Sequence, residues 1–331
     1  MYQQNFKKVV VIGGGTGTFT VLSALKKYDN LNLTAIVSMA DDGGSTGRLR
    51  DELGVLPPGD IRQCLVALSE SDLLMRRLFN YRFCRGALKG HNFGNLFISA
   101  LEKITGSFDS AISALEKILK IKGKVIPVTL DKIKLIAETQ DGEMMIGEEE
   151  IDTSKNLFKK NIKRFFLNNK AKINPKAKQA IREADYIIIG PGDLYTSIIP
   201  NFLIKGVVES VKKSQARKIY LCNLMNKTGH TDNFKVSDFV KVINKYLGED
   251  CLDYVIYNNK KPEKKLIKKY AKKNEYFVEV DEENLKNKKF LAIGRDLIYG
   301  FAHQQDKADK VKRSLVRHDL DELGKTLVGL M

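Results

Sequence analysis

The sequence contains no tryptophan, only seven prolines and only four cysteines among 331 residues. The cysteines, Cys64, Cys84, Cys222 and Cys251, are too widely spaced for a zinc knuckle or a C-x-x-C redox pair. Scattered thiols of this kind are typical of the reducing cytoplasm. No apolar run approaches the roughly 18 residues that a membrane helix requires, and the polar start does not resemble a signal peptide. These absences predict a cytoplasmic protein with neither a disulfide scaffold nor a membrane span.

Arginine is scarce relative to lysine. The formal net charge is +16, from 56 basic and 40 acidic residues, and 43 of the basic residues are lysine. Proteins that read nucleic acids favour arginine, because its guanidinium makes paired contacts with bases and phosphates. The lysine excess therefore predicts no nucleic-acid partner, and it favours small anionic ligands such as nucleotides.

Strands and helices alternate at both ends of the chain, and no Pro/Gly/Ser-rich linker separates them. Near the start, a strand over 9–12, a helix over 19–27 and a strand over 33–39 form a βαβ unit. The same alternation returns later, with strands predicted over 185–189, 218–222 and 252–257. This pattern predicts an α/β fold: a three-layer, doubly wound, mostly parallel, Rossmann-like sheet.

The pattern changes over residues 60–167, which we interpret as an insertion within a single domain spanning 1–331. Residues 60–120 are predicted to be mostly helical, with Asp60 and Asp72 as N-caps. Strands over 132–139 and 143–151 flank Asp141-Gly142, a strong hairpin signal. Further on, the cation spacing over 264–273 predicts an amphipathic surface helix.

Two glycine-rich turns follow strands that are predicted to be buried. They are Gly13-Gly14-Gly15-Thr16-Gly17 and Gly190-Pro191-Gly192-Asp193-Leu194-Tyr195-Thr196-Ser197. The first turn is neither a G-x-G-x-x-G fingerprint, because position 18 is Thr18, nor a Walker loop. A tight turn without a ligand explains either cluster alone, but glycine turns before helices also bind anions. Two of them at one sheet edge favour a nucleoside diphosphate linked to a sugar or acyl group.

Charged side chains follow the second strand. Asp41 and Asp42 stand where α/β nucleotide sites hold a ribose hydroxyl, and they also suit a divalent cation that bridges phosphates. Arg48 lies within the same glycine-containing segment and is a candidate for neutralising a phosphate. Arg62, one turn inside the next helix, is a second candidate for a phosphate contact.

Two further groups of residues complete the candidate site. His91 and Asn95 are four residues apart on one helix face, where the histidine suits either a general base or a phosphate donor. Thr231 and Asp232 follow another strand and belong to the same sheet edge. No Ser-His-Asp elbow, metal cluster or catalytic carboxylate pair can be assigned from spacing. The residues alone predict an α/β protein that binds a phosphorylated ligand, with a nucleotide favoured.

Taken together, the motifs resemble the YvcK/CofD family of gluconeogenesis-factor-like proteins. The matching stretches occur in family order over 11–19, 41–68, 90–96, 190–201 and 316–319. The match is closer to the YvcK branch, whose bacterial cytosolic members bind UDP-sugars such as UDP-N-acetylglucosamine. That resemblance implies a regulator of cell-wall precursor supply and cell shape during gluconeogenic growth. It also implies a partner enzyme of amino-sugar metabolism and no cofactor for binding, and it leaves a homo-oligomer open.

The CofD branch of the same family implies an alternative function. Its members transfer a phospholactyl-type group from a guanosine diphosphate donor to a deazaflavin with a divalent metal. By that resemblance the chain would be a Mg²⁺-dependent phospholactyl- or phosphoenolpyruvyl-type transferase. A third hypothesis, an oxidoreductase with an unusual dinucleotide loop, is disfavoured because the glycine spacing fails.

The resemblance also assigns roles to individual residues. The two glycine turns would hold the diphosphate, while Asp41 and Asp42 would lie near the ribose or the metal. Arg317, in Val316-Arg317-His318-Asp319, would pair with the diphosphate, and Tyr270 would stack on the ligand. Base or sugar contacts fall to Asn223, Thr231, Asp232 and Tyr270. In segment 222–233 the usual T-Q-P-G-E-T-D-G is altered, so that positions 227 and 230 carry lysine and histidine.

Overall fold

A seven-stranded sheet forms the centre of the computed structural model, which describes residues 6–155, 157, 160–248, 251–272, 275–286, 288–299 and 316–331. Its strands are β1 (Lys7–Gly13), β2 (Leu31–Val37), β3 (Lys124–Pro127), β7 (Tyr186–Ile189), β8 (Arg217–Leu221), β9 (Tyr254–Asn258) and β10 (Leu291–Arg295). A small second sheet contains β4 (Leu135–Thr139), β5 (Met144–Ile146) and β6 (Ile162–Leu167).

The helices alternate with these strands. They are α1 (Thr16–Leu25), α2 (Gly44–Leu53), α3 (Gly59–Leu68), α4 (Leu73–Asn80), α5 (Phe93–Thr105), α6 (Phe108–Ile118), α7 (Glu148–Thr153), α8 (Pro175–Glu183), α9 (Ile199–Phe202), α10 (Val207–Lys213), α11 (Val236–Leu247), α12 (Lys264–Ala271), α13 (Glu282–Leu285) and α14 (Leu320–Val328). A π-helical turn, Leu194–Ile198, precedes α9.

The large sheet reverses its strand order at its centre. The order is β10-β9-β8-β7-β1-β2-β3, and every neighbouring pair is parallel. From β1 the chain proceeds towards β3, whereas from β7 it proceeds the other way. Right-handed crossovers then place helices on both faces. The prediction of a doubly wound α/β sheet is confirmed, and the reversal between β1 and β7 creates the crevice in which such folds bind ligands.

The centre of the sheet consists of apolar side chains without the alternation of a half-exposed strand. In β1, Val9, Val11 and Ile12 are fully buried, and Ile187–Ile189 of β7 are equally buried. Val11 lies between Ala35 and Ile188 in register. A strand covered on both faces excludes water from both, which explains the continuous apolar runs seen in the sequence.

The region between β2 and β7 confirms some local predictions and corrects others. Asp72 caps α4, since its side chain accepts a hydrogen bond from the amide of Met75. A hairpin does turn at Asp141-Gly142, but its strands are shorter than predicted, and α7 occupies part of the predicted second strand. The glutamate-rich start of α7 explains this difference, because acidic residues stabilise the amino end of a helix.

The N-cap prediction for Asp60 was wrong. Helix α3 begins at Gly59, and Pro58 is its N-cap residue, so Asp60 lies inside the first turn. Its carboxyl group instead accepts a hydrogen bond from the amide of Gly15, in the first glycine turn. Asp60 therefore does not cap its own helix but connects it to the first glycine turn, far away in sequence.

Three further predictions concern the lysine-rich helix over 264–273, the four cysteines and the absence of a membrane span. The amphipathic helix forms as α12 and ends at Ala271, while residue 273 lies outside the described residues. All four cysteines are free thiols, so no disulfide links them. Within the described ranges, none of the helices has the length and apolar character needed to span a bilayer.

Candidate functional site

A cavity of about 770 Å³ opens at the carboxyl ends of β1 and β7, where the strand order reverses. Six segments line it: the turn after β1 with the start of α1, the start of α3, the turn after β7, the start of the loop after β8, the segment after β10, and the segment leading into α14. Its lining residues are Gly14, Gly15, Thr16, Gly17, Phe19, Thr20, Asp60, Pro191, Gly192, Asp193, Ser197, Asn223, Leu224, Met225, Tyr299, Val316, Arg317, His318, Asp319, Leu320 and Asp321. The candidate site therefore draws on both halves of the chain.

The first glycine turn is close-packed against its neighbours. A Cβ atom on Gly17 would lie 1.8 Å from the carbonyl oxygen of Pro191, so the two turns touch through their backbones. A Cβ on Gly15 would lie 2.3 Å from Asp60 Oδ1. None of the residues of the first turn has a positive φ, so backbone conformation does not require glycine there. Glycine is required because a side chain would collide with the neighbouring atoms. A dense turn of this kind brings backbone amides, without side chains, to the cavity surface.

Helix α1 begins directly behind this turn. Its N-cap residue is Gly15, which has no side chain to cap the helix, and the amide of Gly15 itself donates to the carboxyl group of Asp60. The remaining amides of the first turn and the positive end of the helix dipole are available to an anion. Arg317 lies in the lining of the same cavity. The cavity therefore combines a helix amino end and one arginine, which favour an anion, with four lining carboxyl groups, Asp60, Asp193, Asp319 and Asp321.

The second glycine turn has its polar groups engaged within the protein. Gly192 donates its amide hydrogen to Asn223 Oδ1 at 3.2 Å, and Asn223 Nδ2 donates to the carbonyl of Gly192 at 2.8 Å. Asp193 caps the following π-helical turn by accepting a hydrogen bond from Thr196 N. Gly190 has a φ of +75°, which favours glycine at that position. This turn forms a fixed wall of the cavity.

Several carboxyl groups lie near one another behind the cavity. Burial, reinforced by the neighbouring Asp41 carboxyl group, raises the pKa of Asp60 to about 8. Burial also raises the pKa of Asp41, whose Oδ1 accepts a hydrogen bond from the amide of Gly43. Burial and then the charge of Asp41 raise the pKa of Glu148 to about 10. At neutral pH the proton on Asp60 reduces the repulsion that an anion would meet in the cavity.

The sequence-predicted residues divide into two sets. Eight of them line the cavity: Gly14, Gly15, Thr16, Gly17, Gly192, Ser197, Asn223 and Arg317. Thirteen are not part of its lining: Gly13, Asp41, Asp42, Arg48, Arg62, His91, Asn95, Gly190, Tyr195, Thr196, Thr231, Asp232 and Tyr270.

Arg62 and Asn95 contact each other away from the cavity. Arg62 Nε donates to Asn95 Oδ1 at 3.0 Å, and Arg62 Nη1 donates to Asn80 Oδ1 at 2.6 Å. The side chain of Arg62 is buried among α3, α4 and α5. Arg62, predicted to contact a phosphate, therefore links α3 to α4 and α5 through its hydrogen bonds.

Arg48 lies within α2, and His91 lies in the loop before α5. The prediction that His91 and Asn95 share a helix face was therefore wrong, because α5 begins only at Phe93. His91 Nδ1 is 3.3 Å from the hydroxyl of Ser45. Burial, followed by the nearby Arg48 guanidinium, lowers the pKa of His91. Arg48 donates to the carbonyl oxygen of Lys89. Asp42 accepts a hydrogen bond from the amide of Glu149 at 2.8 Å, at the amino end of α7.

Three other predicted ligand contacts, Tyr195, Thr196 and Tyr270, instead contact residues of the protein. Tyr195 stacks on Phe165, with 5.0 Å between the ring centroids. Thr196 Oγ1 donates to Asp152. Tyr270 is buried, and its hydroxyl group accepts a hydrogen bond from the amide of Val316. Tyr270 therefore holds the segment that carries Arg317.

In the loop after β8, Thr231 and Asp232 act locally. Thr231 Oγ1 accepts a hydrogen bond from the amide of Lys227, and Asp232 accepts one from the amide of Gly229. Neither residue lines the cavity, so the structure does not place their side chains at the predicted ligand site. Asn223, the third residue of that prediction, does line the cavity.

Sequence reasoning missed other lining residues. Tyr299 and His318 reach the cavity from the far end of the chain, and Leu224 and Met225 supply apolar surface. Burial lowers the pKa of His318 to about 4, so its imidazole is neutral at pH 7. The Val316–Asp319 motif was the only sequence signal that pointed to this corner.

The described side chains that could bind a metal do not form a metal site among themselves. Across the described residues, no group of three or more His, Cys, Asp or Glu side chains is arranged to hold a metal ion. Magnesium in nucleotide sites is often held by one or two carboxylates together with phosphate oxygens. The carboxyl groups in the cavity lining are those of Asp60, Asp193, Asp319 and Asp321, and Asp60 lies beside the first turn.

Residues 9–298 match the family model described as 2-phospho-L-lactate transferase CofD. The chain belongs to the CofD family. Among its relatives, a putative gluconeogenesis factor of Thermotoga maritima is 48% identical over 85% of this chain and 88% of that protein. The gluconeogenesis factor of Bacillus subtilis is 39% identical over 98% of each chain.

A solved structure of a similar protein supports the architecture. A UPF0052-family protein from Bacillus halodurans is 39% identical, with 98% of this chain and 99% of that chain covered. Its TM-score against this chain is 0.88. The fold, including the sheet that builds the cavity, is therefore common to this CofD-family member and its relative.

Proposed function

We propose that the protein is a cytoplasmic regulator that binds a nucleotide diphosphate-sugar of the UDP-N-acetylglucosamine type. In this role it would link the supply of cell-wall precursors, and cell shape, to gluconeogenic growth. It would act by docking onto a partner enzyme of amino-sugar metabolism. Binding would require no cofactor.

One observation carries this proposal: the amino end of α1, the first glycine turn and Arg317 share one cavity. A diphosphate carries the charge that a helix amino end and an arginine favour. The cavity volume of about 770 Å³ lies within the roughly 300–1,000 Å³ that is usual for small-molecule sites. The apolar side chains of Leu224 and Met225 and the ring of Tyr299 offer surface for the rest of the ligand.

Relatives support the regulator more than an enzyme. Proteins called gluconeogenesis factor match this chain over nearly its full length, including that of Bacillus subtilis. Their name describes a role in carbon metabolism and not a chemical step. We extend that role to this chain as part of the proposal.

A second function is favoured by a separate observation, the carboxyl group of Asp60 beside the first turn. In a transferase that uses a guanosine diphosphate donor, Asp60 would help to hold Mg²⁺ against the phosphates, and the metal would neutralise their charge. The α1 amides and Arg317 would position the donor. The family model carries the name of such a transferase.

Calorimetric titration separates the two functions. The purified protein is titrated with UDP-N-acetylglucosamine and with GDP, each with and without Mg²⁺. The proposal expects tight binding of the UDP-sugar in both conditions. Binding of GDP that requires Mg²⁺, without binding of the UDP-sugar, would overturn it in favour of the transferase.

A further inference from the structure

An ammonium group joins two carboxylates next to the cavity. Lys227 Nζ lies 2.5 Å from Asp193 Oδ2 and also contacts Asp152 Oδ1. These residues come from three separate segments: the loop after β8, the second glycine turn, and α7. Thr196 Oγ1 donates to the same oxygen of Asp152 at 3.0 Å, which completes the connection between α7 and the turn.

Only one of these three charged side chains reaches the cavity. Asp193 is part of its lining, whereas Lys227 and Asp152 are not. The side chain of Asp193 is 16% exposed, so its negative charge is partly open to whatever occupies the cavity. An uncompensated carboxylate there would oppose an anionic ligand.

The surroundings of Asp193 contain further acids. Asp41, Asp60, Asp152 and Asp193 all act on Glu148 to raise its pKa, so all four carboxyl groups lie within electrostatic range of Glu148. Lys227 stays charged in this setting: burial opposes its charge, but Asp193 and Asp152 outweigh burial and raise its pKa. Burial alone would raise the pKa of Asp193, but the charge of Lys227 is the largest of the influences that outweigh burial and lower it.

His230 does not replace Lys227 as the compensating cation. Its Nδ1 lies 4.0 Å from Asp193 Oδ1, and its side chain is 1% exposed. Burial lowers its pKa, so the imidazole is neutral at pH 7. The ammonium of Lys227 is therefore the charge in direct contact with Asp193.

We propose that Lys227 is a positioning residue for diphosphate binding: it neutralises the charge of Asp193, so that the cavity wall accepts an anion. This inference rests on the proposed function only in that the ligand is a diphosphate. It assigns a role in ligand recognition to a lysine that does not line the site.

The test uses four variants of the full chain. Lys227→Gln removes the charge, and Lys227→Arg keeps it. Lys227→Gln combined with Asp193→Asn removes both members of the pair. Lys8→Gln is the matched control, because Lys8 pairs with Glu183 at 3.2 Å at the amino end of β1, the opposite edge of the sheet. Affinities for UDP-N-acetylglucosamine, GDP and inorganic pyrophosphate are measured at low and high salt, and folding is checked by thermal unfolding.

Lys227→Gln is expected to weaken diphosphate binding about tenfold or more at low salt. Lys227→Arg and the double variant are expected to stay within about threefold of the unaltered protein, as is Lys8→Gln. A merely structural lysine would lower the unfolding temperature without this charge-dependent pattern. Folded Lys227→Gln protein with unchanged affinity, or a double variant as weak as the single one, would overturn the inference.

The two proposals fail in different ways. If the unaltered protein binds GDP or pyrophosphate but no UDP-sugar, the proposed function is wrong, and the variants still test Lys227 with the ligand that binds. If none of the three diphosphates binds to the unaltered protein, both proposals are wrong.

Discussion

The two glycine turns look alike in sequence but differ in structure. Each follows a buried central strand and precedes a helical segment. In the first, the N-cap residue of α1 is a glycine without a capping side chain, and Asp60 engages the amide of Gly15. In the second, Asn223 engages the polar groups of the turn, and Asp193 caps the helical segment that follows. A glycine-rich strand-to-helix junction therefore predicts where a ligand site lies, but not which backbone groups are free to bind. We expect the first turn to bind the diphosphate and the second to form the wall opposite.

The largest expected effect tests the contact between the turns. Gly17→Ala places a methyl group 1.8 Å from the Pro191 carbonyl oxygen, so the backbones must separate. We expect a loss of about 3 kcal/mol in the free energy of unfolding, which denaturant titration measures. Gly86→Ala is the control: Gly86 has a φ of +70° but no atom within 4 Å of its added Cβ, so only about 1 kcal/mol of backbone strain is expected. Equal losses of unfolding free energy in the two variants would show that the backbones at Gly17 and Pro191 are not in close contact.

Arg317→Ala tests the arginine that shares the cavity with the first turn. If the guanidinium contacts the diphosphate, removing it costs about 1–3 kcal/mol of binding free energy, or roughly 5- to 150-fold in affinity. Calorimetry with UDP-N-acetylglucosamine gives the value. An unchanged affinity in a folded variant would remove Arg317 from the site and weaken the distinction between the turns.

The pH dependence of binding reports on Asp60 beside the first turn. Because burial raises its pKa to about 8, the folded protein carries a neutral carboxyl group below that pH and a carboxylate above it. Affinity for the UDP-sugar without metal is therefore expected to fall severalfold as pH rises from 7 to 9. Asp60→Asn should flatten this profile, and a fall of equal size in that variant would assign the effect to another group.

The same shift has a consequence for stability. The pKa of Asp60 is raised from 3.8 on folding, so its contribution to stability is fully present below about pH 4 and is lost as pH rises towards 8. At pH 7, Asp60→Asn is expected to be at least as stable as the unaltered protein. Thermal unfolding at pH 5 and pH 7 measures this.

The smallest effect is expected at the second turn. Ser197 lines the cavity, but the neighbouring Asp193 and Gly192 are already hydrogen-bonded within the protein. Ser197→Ala should change diphosphate affinity less than about threefold by calorimetry. A loss comparable to that of Arg317→Ala would show that the second turn also binds the phosphates, and the contrast drawn here would fail.

The sequence allows the fold and the position of the site to be predicted, because both depend on local signals. Continuous apolar runs such as Val9–Ile12 require a strand covered on both faces, and glycine turns after β1 and β7 lie at the point where the sheet reverses. Side-chain partners could not be predicted in the same way. Asp60 looks like a helix cap and Arg62 like a phosphate ligand, but their partners come from other segments of the chain.

The central strand pairing between β1 and β7 has a consequence for how the chain reaches its folded state. The amide of Lys8 bonds to the carboxylate of Asp185, 177 residues away. Contacts of such sequence separation form slowly, since a long loop must close before they contribute. We therefore expect the cavity to be completed late in folding, when the two halves of the chain join. A ligand bound there stabilises that junction and shifts the equilibrium towards the joined state.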